Sequence, residues 1–452
     1  DVYKRQIYSY ADRYLFQANV RHDGSSRFAK GYRWGTFPSF SAGWVMSEEK
    51  FMKNLNWDWL SFLKLRGSWG MLGNERIGDN YFPYIALMSF GNSLFYMADG
   101  SVVSDKTARP AVLAVEDITW ETTTSTDIGL DANFFNNRLQ FHFDYYWKQT
   151  KDMLLNIEIP YFMGYNNPST NAGKMSTHGY DIELAWNDRI GDFKYGVNVN
   201  FSDFLSKIDY MNDGEQISGG KIKRAGVLFN EYYGYVCDGI YQTQEEVNNS
   251  ARTSTTVTVG DLKYRDISGP DGVPDGIISP EYDRVPLGNS LPRFQYGGTF
   301  NASYKGIDFS IAFQGIGKQN SYLSTAMVQP LRDNFGNVPS ILEGKYWSPF
   351  NTAEENLSAK YPRLSNVSKN NNYATSSFWM FNGSYFRLKN LTLGYTLPET
   401  WTQKAGINRV RFYVSGSDLF CLSNFPDGWD PEMSYKAYPI TTSLVMGLQV
   451  NF

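Results

Sequence analysis

Apolar and polar residues alternate along most of the chain with a period of two, and the alternating segments come in pairs joined by short polar turns. The clearest pair turns at Asn136 and Asn137. Its apolar positions are Ile128, Leu130, Ala132 and Phe134 before the turn and Leu139, Phe141, Phe143, Tyr145 and Trp147 after it. Because successive side chains of a β-strand point to opposite faces, this pattern predicts antiparallel hairpins with one apolar and one polar face.

The same pattern predicts further strands along the chain. Two more hairpins join residues 180–186 to 193–201 and residues 296–304 to 307–313. Other strands are predicted over residues 7–22, 36–46, 62–72, 118–134, 384–396, 408–418 and 442–452. We therefore expect about twelve to fourteen strands, each near the ten or so residues that cross a bilayer at a tilt.

The connections between these strands alternate in length. Short turns are predicted near residues 135, 190, 305 and 400, and long connections span residues 73–117, 148–175, 206–292 and 318–383. Outer-membrane barrels have this asymmetry, with short periplasmic turns and long extracellular loops. The alternation itself also fits a soluble sandwich, in which the apolar face packs on a second sheet. The alternative is thus a secreted all-β protein that binds or degrades glycans.

Composition limits the choice further. Aromatic residues make up 17% of the 452 residues and charged residues only 19%, so many rings must face something other than water. The net charge is −4 and basic residues form no block, which excludes a nucleic-acid partner. The start of the chain shows no export signal, so we expect an exported protein to extend beyond it.

Several segments go beyond a general barrel pattern. They read RHDGSSRF at 21–28, WGTFPS at 34–39, LKLRGSWG at 63–70, GDLKYRD at 260–266, LGNSLPRFQYG at 287–297, SYFRLKNLTLGY at 384–395 and YPIT at 438–441. In this order they resemble the SusC/RagA family of TonB-linked outer-membrane proteins, the TonB-dependent receptors. The resemblance covers residues 7–452. Residues 1–6, DVYKRQ, do not extend it, and we expect them to be an artefact or an unrelated join.

The resemblance implies a fold and a set of partners. The fold is an all-β, transmembrane antiparallel β-barrel of about 22 strands, of which this chain supplies the C-terminal part without the plug domain. The implied function is active, TonB-energised import of glycans or peptides across the outer membrane of a Bacteroidota-like Gram-negative cell. The implied partners are a SusD-like surface lipoprotein, TonB through the missing N-terminal part, the barrel assembly machinery, outer-membrane lipid and an oligosaccharide or peptide substrate.

Candidate site residues come from the loops and from the end of the chain. Aromatic and amide side chains suited to sugars or peptides are Tyr81, Phe82, Tyr84, Tyr161, Phe162, Tyr165, Asn166, Asn167, Tyr232 and Tyr233. An acidic loop offers oxygen ligands for a possible Ca²⁺ at Asp266, Ser268, Asp271 and Asp275, although it also reads as a plain Gly/Pro turn. The terminal Phe452 lies on the apolar face of the last strand and resembles a membrane assembly signal.

Motifs for covalent chemistry are missing from the sequence. It has no nucleophile elbow, P-loop or dinucleotide fingerprint, and its three histidines have no metal-ligand spacing. Cys237 and Cys421 are too few for a disulfide framework in a chain of this length. We therefore expect a protein that is not an enzyme, has no catalytic residues and requires no cofactor.

Overall fold

The computed structural model describes residues 1–77, 81–157, 159–212, 214–323, 329–331, 338, 340–433 and 438–452. The first ten strands are β1 Val2–Tyr10, β2 Tyr14–Gly24, β3 Trp34–Val45, β4 Leu60–Asn74, β5 Leu87–Tyr96, β6 Val102–Val112, β7 Glu121–Phe134, β8 Leu139–Asn156, β9 Ser169–Ile190 and β10 Phe193–Met211. The short strands of the following loop are β11 Glu215–Ser218, β12 Lys221–Arg224, β13 Glu231–Tyr235, β14 Cys237–Ile240, β15 Leu262–Tyr264 and β16 Arg284–Asn289. The remaining strands are β17 Arg293–Tyr304, β18 Ile307–Lys318, β19 Asn320–Tyr322, β20 Met380–Asn382, β21 Tyr385–Thr396, β22 Arg409–Ser423 and β23 Ser443–Asn451.

Helices are few and short. The α-helices are α1 Lys50–Lys53, α2 Gln244–Asn248, α3 Ala353–Leu357, α4 Lys369–Asn372 and α5 Glu399–Thr402. Single 3₁₀ turns cover Met46–Glu48, Tyr161–Met163, Ser340–Leu342, Ser377–Trp379 and Gln403–Ala405. Among the residues that the structure describes, no helix has both the length and the apolar character needed to cross a membrane.

The chain folds as two compact units. The first contains Asp1–Ala185, Phe204–Gln216 and Arg224–Leu228. The second contains Trp186–Asp203, Ile217–Lys223 and Phe229–Phe452. In the first unit, β1, β2, β3, β4, β7 and β8 pair in that order as antiparallel neighbours. In the second unit, β10, β17, β18, β21, β22 and β23 do the same.

The two faces of the strands in the first unit differ in chemistry. Ile128 and Tyr145 are direct cross-strand neighbours on one face, and they are 55% and 40% exposed. Asp131 and His142 are neighbours on the opposite face. Water is a poor solvent for a continuous exposed apolar face, whereas lipid accommodates it.

The second unit shows the same division. Leu393, Val414 and Met446 lie side by side on three neighbouring strands, and all three are exposed. On the other face of these strands, Thr392 and Ser415 are paired. The predicted alternation of apolar and polar faces is therefore present in both units.

The prediction of one strand over residues 7–22 was wrong. A turn at residues 11–13 divides this segment, and the strand before it begins at Val2 rather than at residue 7. Ala11 and Asp12 both have φ near +52°, which matches a tight hairpin turn whose twist fits the flanking strands. The turn contains no glycine, so the usual sequence signal for such a turn is missing. Residues 2–6 pair with β2 in continuous register, so the structure shows no break at residue 7.

Some strands are longer than the sequence predicts. The connection predicted over residues 148–175 is shorter, because β8 runs to Asn156 and β9 begins at Ser169. Polar contacts hold such extensions: the Ser176 hydroxyl donates to the Asp209 carboxylate at 2.9 Å. Backbone pairing does not need apolar alternation, which is why the hydrophobic pattern alone predicts strands that are too short.

The long loops of the second unit have a core of their own. Trp379 is fully buried among aromatic and aliphatic side chains of the loops. The other buried members of this loop core are Tyr235, Leu262, Tyr264, Ile278, Leu323 and Tyr373. A buried carboxylate, Asp261, ties the loops together by accepting hydrogen bonds from Arg363, Ser368 and Asn372. The described parts of these loops are therefore folded around a core of their own.

Candidate functional site

An aromatic cluster lies at the short-turn end of the first unit. Trp57 and Trp59 stack at 5.2 Å between ring centroids, and Trp59 stacks on Phe134 at 5.8 Å. Both tryptophans are more than 40% exposed. Rings with one apolar and one polar edge are characteristic of the boundary between lipid and water. The cluster therefore marks where the apolar face of this unit ends.

A cluster of charges occupies the polar face of the first unit. The Arg66 guanidinium donates to both oxygens of Asp144 at 2.5 and 2.7 Å, and its Nε donates to Asp131 at 3.1 Å. Asp127 lies 3.6 Å from the same guanidinium. His142 contacts Asp131 through Nδ1 at 3.0 Å. One arginine thus joins carboxylates from two neighbouring strands, β7 and β8, on the face opposite the apolar one.

This cluster depends on a glycine. A Cβ on Gly129 would lie 2.5 Å from the Arg66 Cζ and 2.6 Å from an oxygen of Asp144. Gly129 therefore leaves the space in which the arginine meets its carboxylates. We did not predict this cluster as a unit. The available signals were the polar positions of the alternating strands and the arginine of the LKLRGSWG segment.

Ion pairs also line the polar face of the second unit. Arg411 donates to both oxygens of Asp308 at 2.9 and 2.5 Å. At the long-loop end, Arg387 is almost completely buried and donates to Asp430 at 2.6 Å, while Glu432 lies 3.4 Å away. Arg387 thereby fastens the loop that follows β22 to the polar face of the sheet.

The predicted substrate-binding residues fall into separate groups. In the first unit, Tyr81 is exposed and lies under the Arg27 guanidinium at 4.9 Å. Phe82 and Tyr84 contact each other edge to face at 6.4 Å. These three side chains come together beside the DGSSRF segment, where the Tyr84 hydroxyl donates to the Ser26 carbonyl.

The second group lies beside the hairpin β5–β6. Phe162 is 89% exposed, and the Asn166 backbone donates to the Ala111 carbonyl at 3.1 Å. The Asn167 side chain accepts from the Ile159 amide, so it organises its own loop, and Tyr165 is half-buried. The side chain of Tyr161 lies outside the described part of the structure. Contact of this group with a substrate stays a prediction.

Tyr232 and Tyr233 are different from the other predicted residues. Each is only 8% exposed, within β13 of the second unit. The Tyr232 ring packs at 5.8 Å from Tyr322, and burial raises the pKa of its phenol. These two tyrosines pack the loops in this structure, and contact of either one with a substrate stays a prediction.

The acidic loop is organised by backbone hydrogen bonds. Asp266 accepts from the Gly276 amide at 2.7 Å, and Asp275 accepts from the Ile277 amide at 2.9 Å. The fully buried Asp283, which we did not predict, accepts from the amides of Ile267, Ser268 and Ser279. In the described ranges, His, Cys, Asp and Glu side chains form no group of three or more that could hold a metal ion. Calcium binding through Asp266, Ser268, Asp271 and Asp275 stays a prediction.

The terminal Phe452 is 86% exposed. It follows β23 directly, and Leu444, Met446 and Leu448 of that strand are exposed at alternate positions. The register therefore continues the apolar face to the end of the chain, as the alternation predicts. Its recognition by the assembly machinery stays a prediction.

Both cysteines are free thiols in this structure. Cys237 lies in the loop core, where burial raises its pKa to about 11. A thiol with so high a pKa is a poor nucleophile near neutral pH. This environment fits a packing role better than a reactive one.

The fold and the two contrasting strand faces define a class, the outer-membrane β-barrels. A family model described as "TonB dependent receptor-like, beta-barrel" matches residues 3–415, and the chain belongs to this family. The prediction of an all-β transmembrane barrel in the outer membrane is thereby confirmed. The alternative of a secreted soluble β-protein is not supported.

Curated relatives point to the same family. The chain is 30% identical to TonB-dependent receptor P3 of Formosa agariphila over all of its own length and 45% of that protein. It is also 30% identical to TonB-dependent receptor SusC of Bacteroides thetaiotaomicron, with 99% of this chain and 43% of SusC covered. The chain thus spans a little under half the length of the curated relatives that it matches. The predicted resemblance to SusC is confirmed.

Solved structures support the fold. A structure described as the RagAB peptide transporter aligns with all of this chain and 47% of its own chain, with a TM-score of 0.78 at 23% identity. The RagAB peptide importer in its open-open state aligns with a TM-score of 0.74. At this level of identity the likeness establishes the shared architecture.

Proposed function

We propose that this chain forms part of the barrel of an active importer that carries glycans or peptides across the outer membrane. The observation that carries the proposal is the contrast between the two faces of the same strands. An exposed apolar face suits lipid, and the opposite face carries the Arg66 and Arg411 ion pairs. In a closed barrel this polar face lines a wet interior through which a hydrophilic nutrient passes.

The proposed import is powered from outside this chain. A plug domain closes the barrel, and TonB, energised by the inner-membrane proton gradient, pulls on that plug to open a path. A SusD-like surface lipoprotein captures the substrate above the long loops and delivers it to the barrel. The names of the curated relatives and of the RagAB transporter support this scheme.

The barrel itself carries out no covalent chemistry in this scheme and needs no cofactor. In this scheme, the side chains of the barrel bind and guide the substrate and exclude other solutes. The described parts of the loops of the second unit support such a role because they pack around a buried core. A lipoprotein can dock on a surface of this kind with little loss of conformational freedom.

Two measurements test the proposal on the natural full-length protein. The first compares the electrophoretic mobility of boiled and unboiled membrane fractions, and a heat-dependent shift is expected of a closed barrel. The second follows uptake of labelled oligosaccharides and peptides by cells with and without the gene. Detergent-free solubility without a mobility shift contradicts the barrel, and unchanged uptake of both substrate classes contradicts the importer.

A further inference from the structure

The loops of the second unit form a pocket of about 320 Å³. Three segments contribute to it, residues 342–361, 378–381 and 424–429. Its lining includes five aromatic rings, those of Tyr361, Phe378, Phe381, Phe425 and Trp429. A volume near the lower end of ligand-binding cavities suits one ring-sized group rather than a whole oligomer.

The aromatic lining is held from behind by the loop core. Phe378 meets the fully buried Trp379 edge to face at 4.9 Å, and Tyr361 lies 6.2 Å from the same indole. Phe381 and Phe425 contact each other edge to face at 6.2 Å. These contacts limit the orientations of four of the five lining rings before any ligand arrives, which reduces the entropy lost on binding.

Polar groups complete the lining. Lys345, Lys360, Asn424 and Asp427 belong to the same pocket. In the described part of the chain, neither lysine forms an ion pair, and Asp427 forms none either. Burial raises the pKa of the Tyr361 phenol and the negative charge of Asp427, which lines the same pocket, raises it further. Two ammonium groups against one carboxylate give the pocket a net positive charge.

We propose that this pocket binds one anionic sugar ring, carrying a carboxylate or a sulfate, of an oligosaccharide substrate; this assignment rests on the proposed import function. The C–H face of a sugar ring stacks on aromatic rings. The lysines act as point charges for the anionic group. Asn424 and Asp427 are hydrogen-bond partners for hydroxyl groups.

An aromatic side chain of a peptide would fill the apolar part of the pocket equally well. It would bring no hydroxyl for Asn424 or Asp427 and no negative charge for Lys345 and Lys360. Lys360, Asn424 and Asp427 are exposed and Lys345 is half-buried, so a ligand that covers them without offering partners takes away their contacts with water and loses affinity. The mixed lining therefore favours a polyhydroxylated anion over a purely aromatic group.

The test measures ligand binding to the natural full-length protein in detergent by isothermal titration calorimetry. The probes are an oligogalacturonide, a sulfated galactose oligosaccharide, the matching neutral galactose oligosaccharide and a short peptide ending in tryptophan. We expect at least one acidic oligosaccharide to bind about tenfold or more tightly than the neutral one, since hydrogen bonds to charged groups contribute that much. Tighter binding of the oligogalacturonide identifies a carboxylate as the recognised group. Tighter binding of the sulfated galactose oligosaccharide identifies a sulfate.

Substitutions of the lining residues test whether the sugar binds in this pocket. The double substitution Lys345→Met with Lys360→Met is expected to remove the preference for the acidic probe, and Trp429→Leu to weaken binding of all sugars. Lys404→Met, at an exposed lysine near the short turn after β21, is the control and should bind like the unmodified protein. Unchanged binding in the lysine double variant overturns the location, and equal affinity for acidic and neutral probes overturns the charge preference.

Peptide binding without sugar binding overturns the proposal as a whole. Uptake by cells separates this result from a failure of the import function. A purified protein that binds acidic oligosaccharides in this pocket, in cells whose uptake does not depend on the gene, supports the pocket and contradicts the importer.

Discussion

Arg363 donates a hydrogen bond from Nε to Oδ1 of Asp261 at 2.7 Å, although the two residues are 102 positions apart and belong to different long loops. Asp261 has no exposed surface. The pair is therefore a structural link between the loop that follows β10 and the loop that follows β18. Loss of either loop should expose the core of the other.

The first prediction concerns this link. Arg363→Met leaves the buried Asp261 carboxylate without its charged partner, and removing one partner of a buried pair costs about 3–5 kcal/mol. We expect the loops to become sensitive to protease while the barrel keeps its heat-dependent mobility shift. Arg265→Gln is the matched control, because the ion pair of Arg265 with Asp238 is exposed to solvent and contributes little to stability. Equal protease resistance of both variants contradicts the link.

The second prediction tests the space around Arg66. Gly129→Ala places a methyl group against the guanidinium and Asp144, and such overpacking costs about 1–3 kcal/mol. The amount of protein that shows the heat-dependent mobility shift of a closed barrel should therefore fall. Gly91→Ala in β5 is the control, because a Cβ there meets nothing within 4 Å. If both variants assemble as well as the unmodified protein, Gly129 has no spacing role.

The third prediction follows from the thiol in the loop core. The pKa of Cys237 is raised to about 11 by burial, so little of it is thiolate at pH 8. At pH 8, alkylation of Cys237 in the folded protein should be on the order of a hundredfold slower than alkylation of the same cysteine in the unfolded chain, where its pKa is about 8.5. In a Cys421→Ser background, we expect the rate of iodoacetamide labelling to rise about tenfold per pH unit up to about pH 11. Fast labelling that does not change between pH 7 and pH 9 contradicts the raised pKa.

The alternating pattern of the sequence predicted the features that depend on residues close together in the chain, namely the faces of the strands and the turns between them. The turns near 135 and 305 lie where expected, at residues with positive φ that include Asn136 and Gly306. The turn at Ala11 was missed because its residue types do not signal one. Periodicity reports which face a side chain occupies, so it succeeds wherever lipid and water impose two chemically distinct faces.

The contacts within the long loops could not be predicted from the alternating pattern. Asp261 meets Arg363 and Trp379 meets Tyr361 through the folding of whole loops, and no local pattern encodes such contacts. Hydrophobic content in these segments suggested ligand contacts, yet Tyr232 and Tyr233 proved to be buried. Aromatic composition indicates that a loop can build a core or bind a ring, and only the tertiary contacts separate the two.

The last prediction concerns the end of the chain. Phe452 is exposed and extends the apolar face of β23 beyond the final strand residue. If the assembly machinery recognises this ring, Phe452→Ala should lower the amount of folded barrel in the outer membrane and raise the unfolded pool, with little change in the thermal stability of molecules that do fold. A fluorescence measurement on the folded fraction checks that stability. Phe350→Ala, at a loop residue that is 96% exposed, is the control for loss of an exposed ring. Normal assembly of both variants contradicts the signal, whereas a selective loss with Phe452→Ala assigns it to the terminal residue.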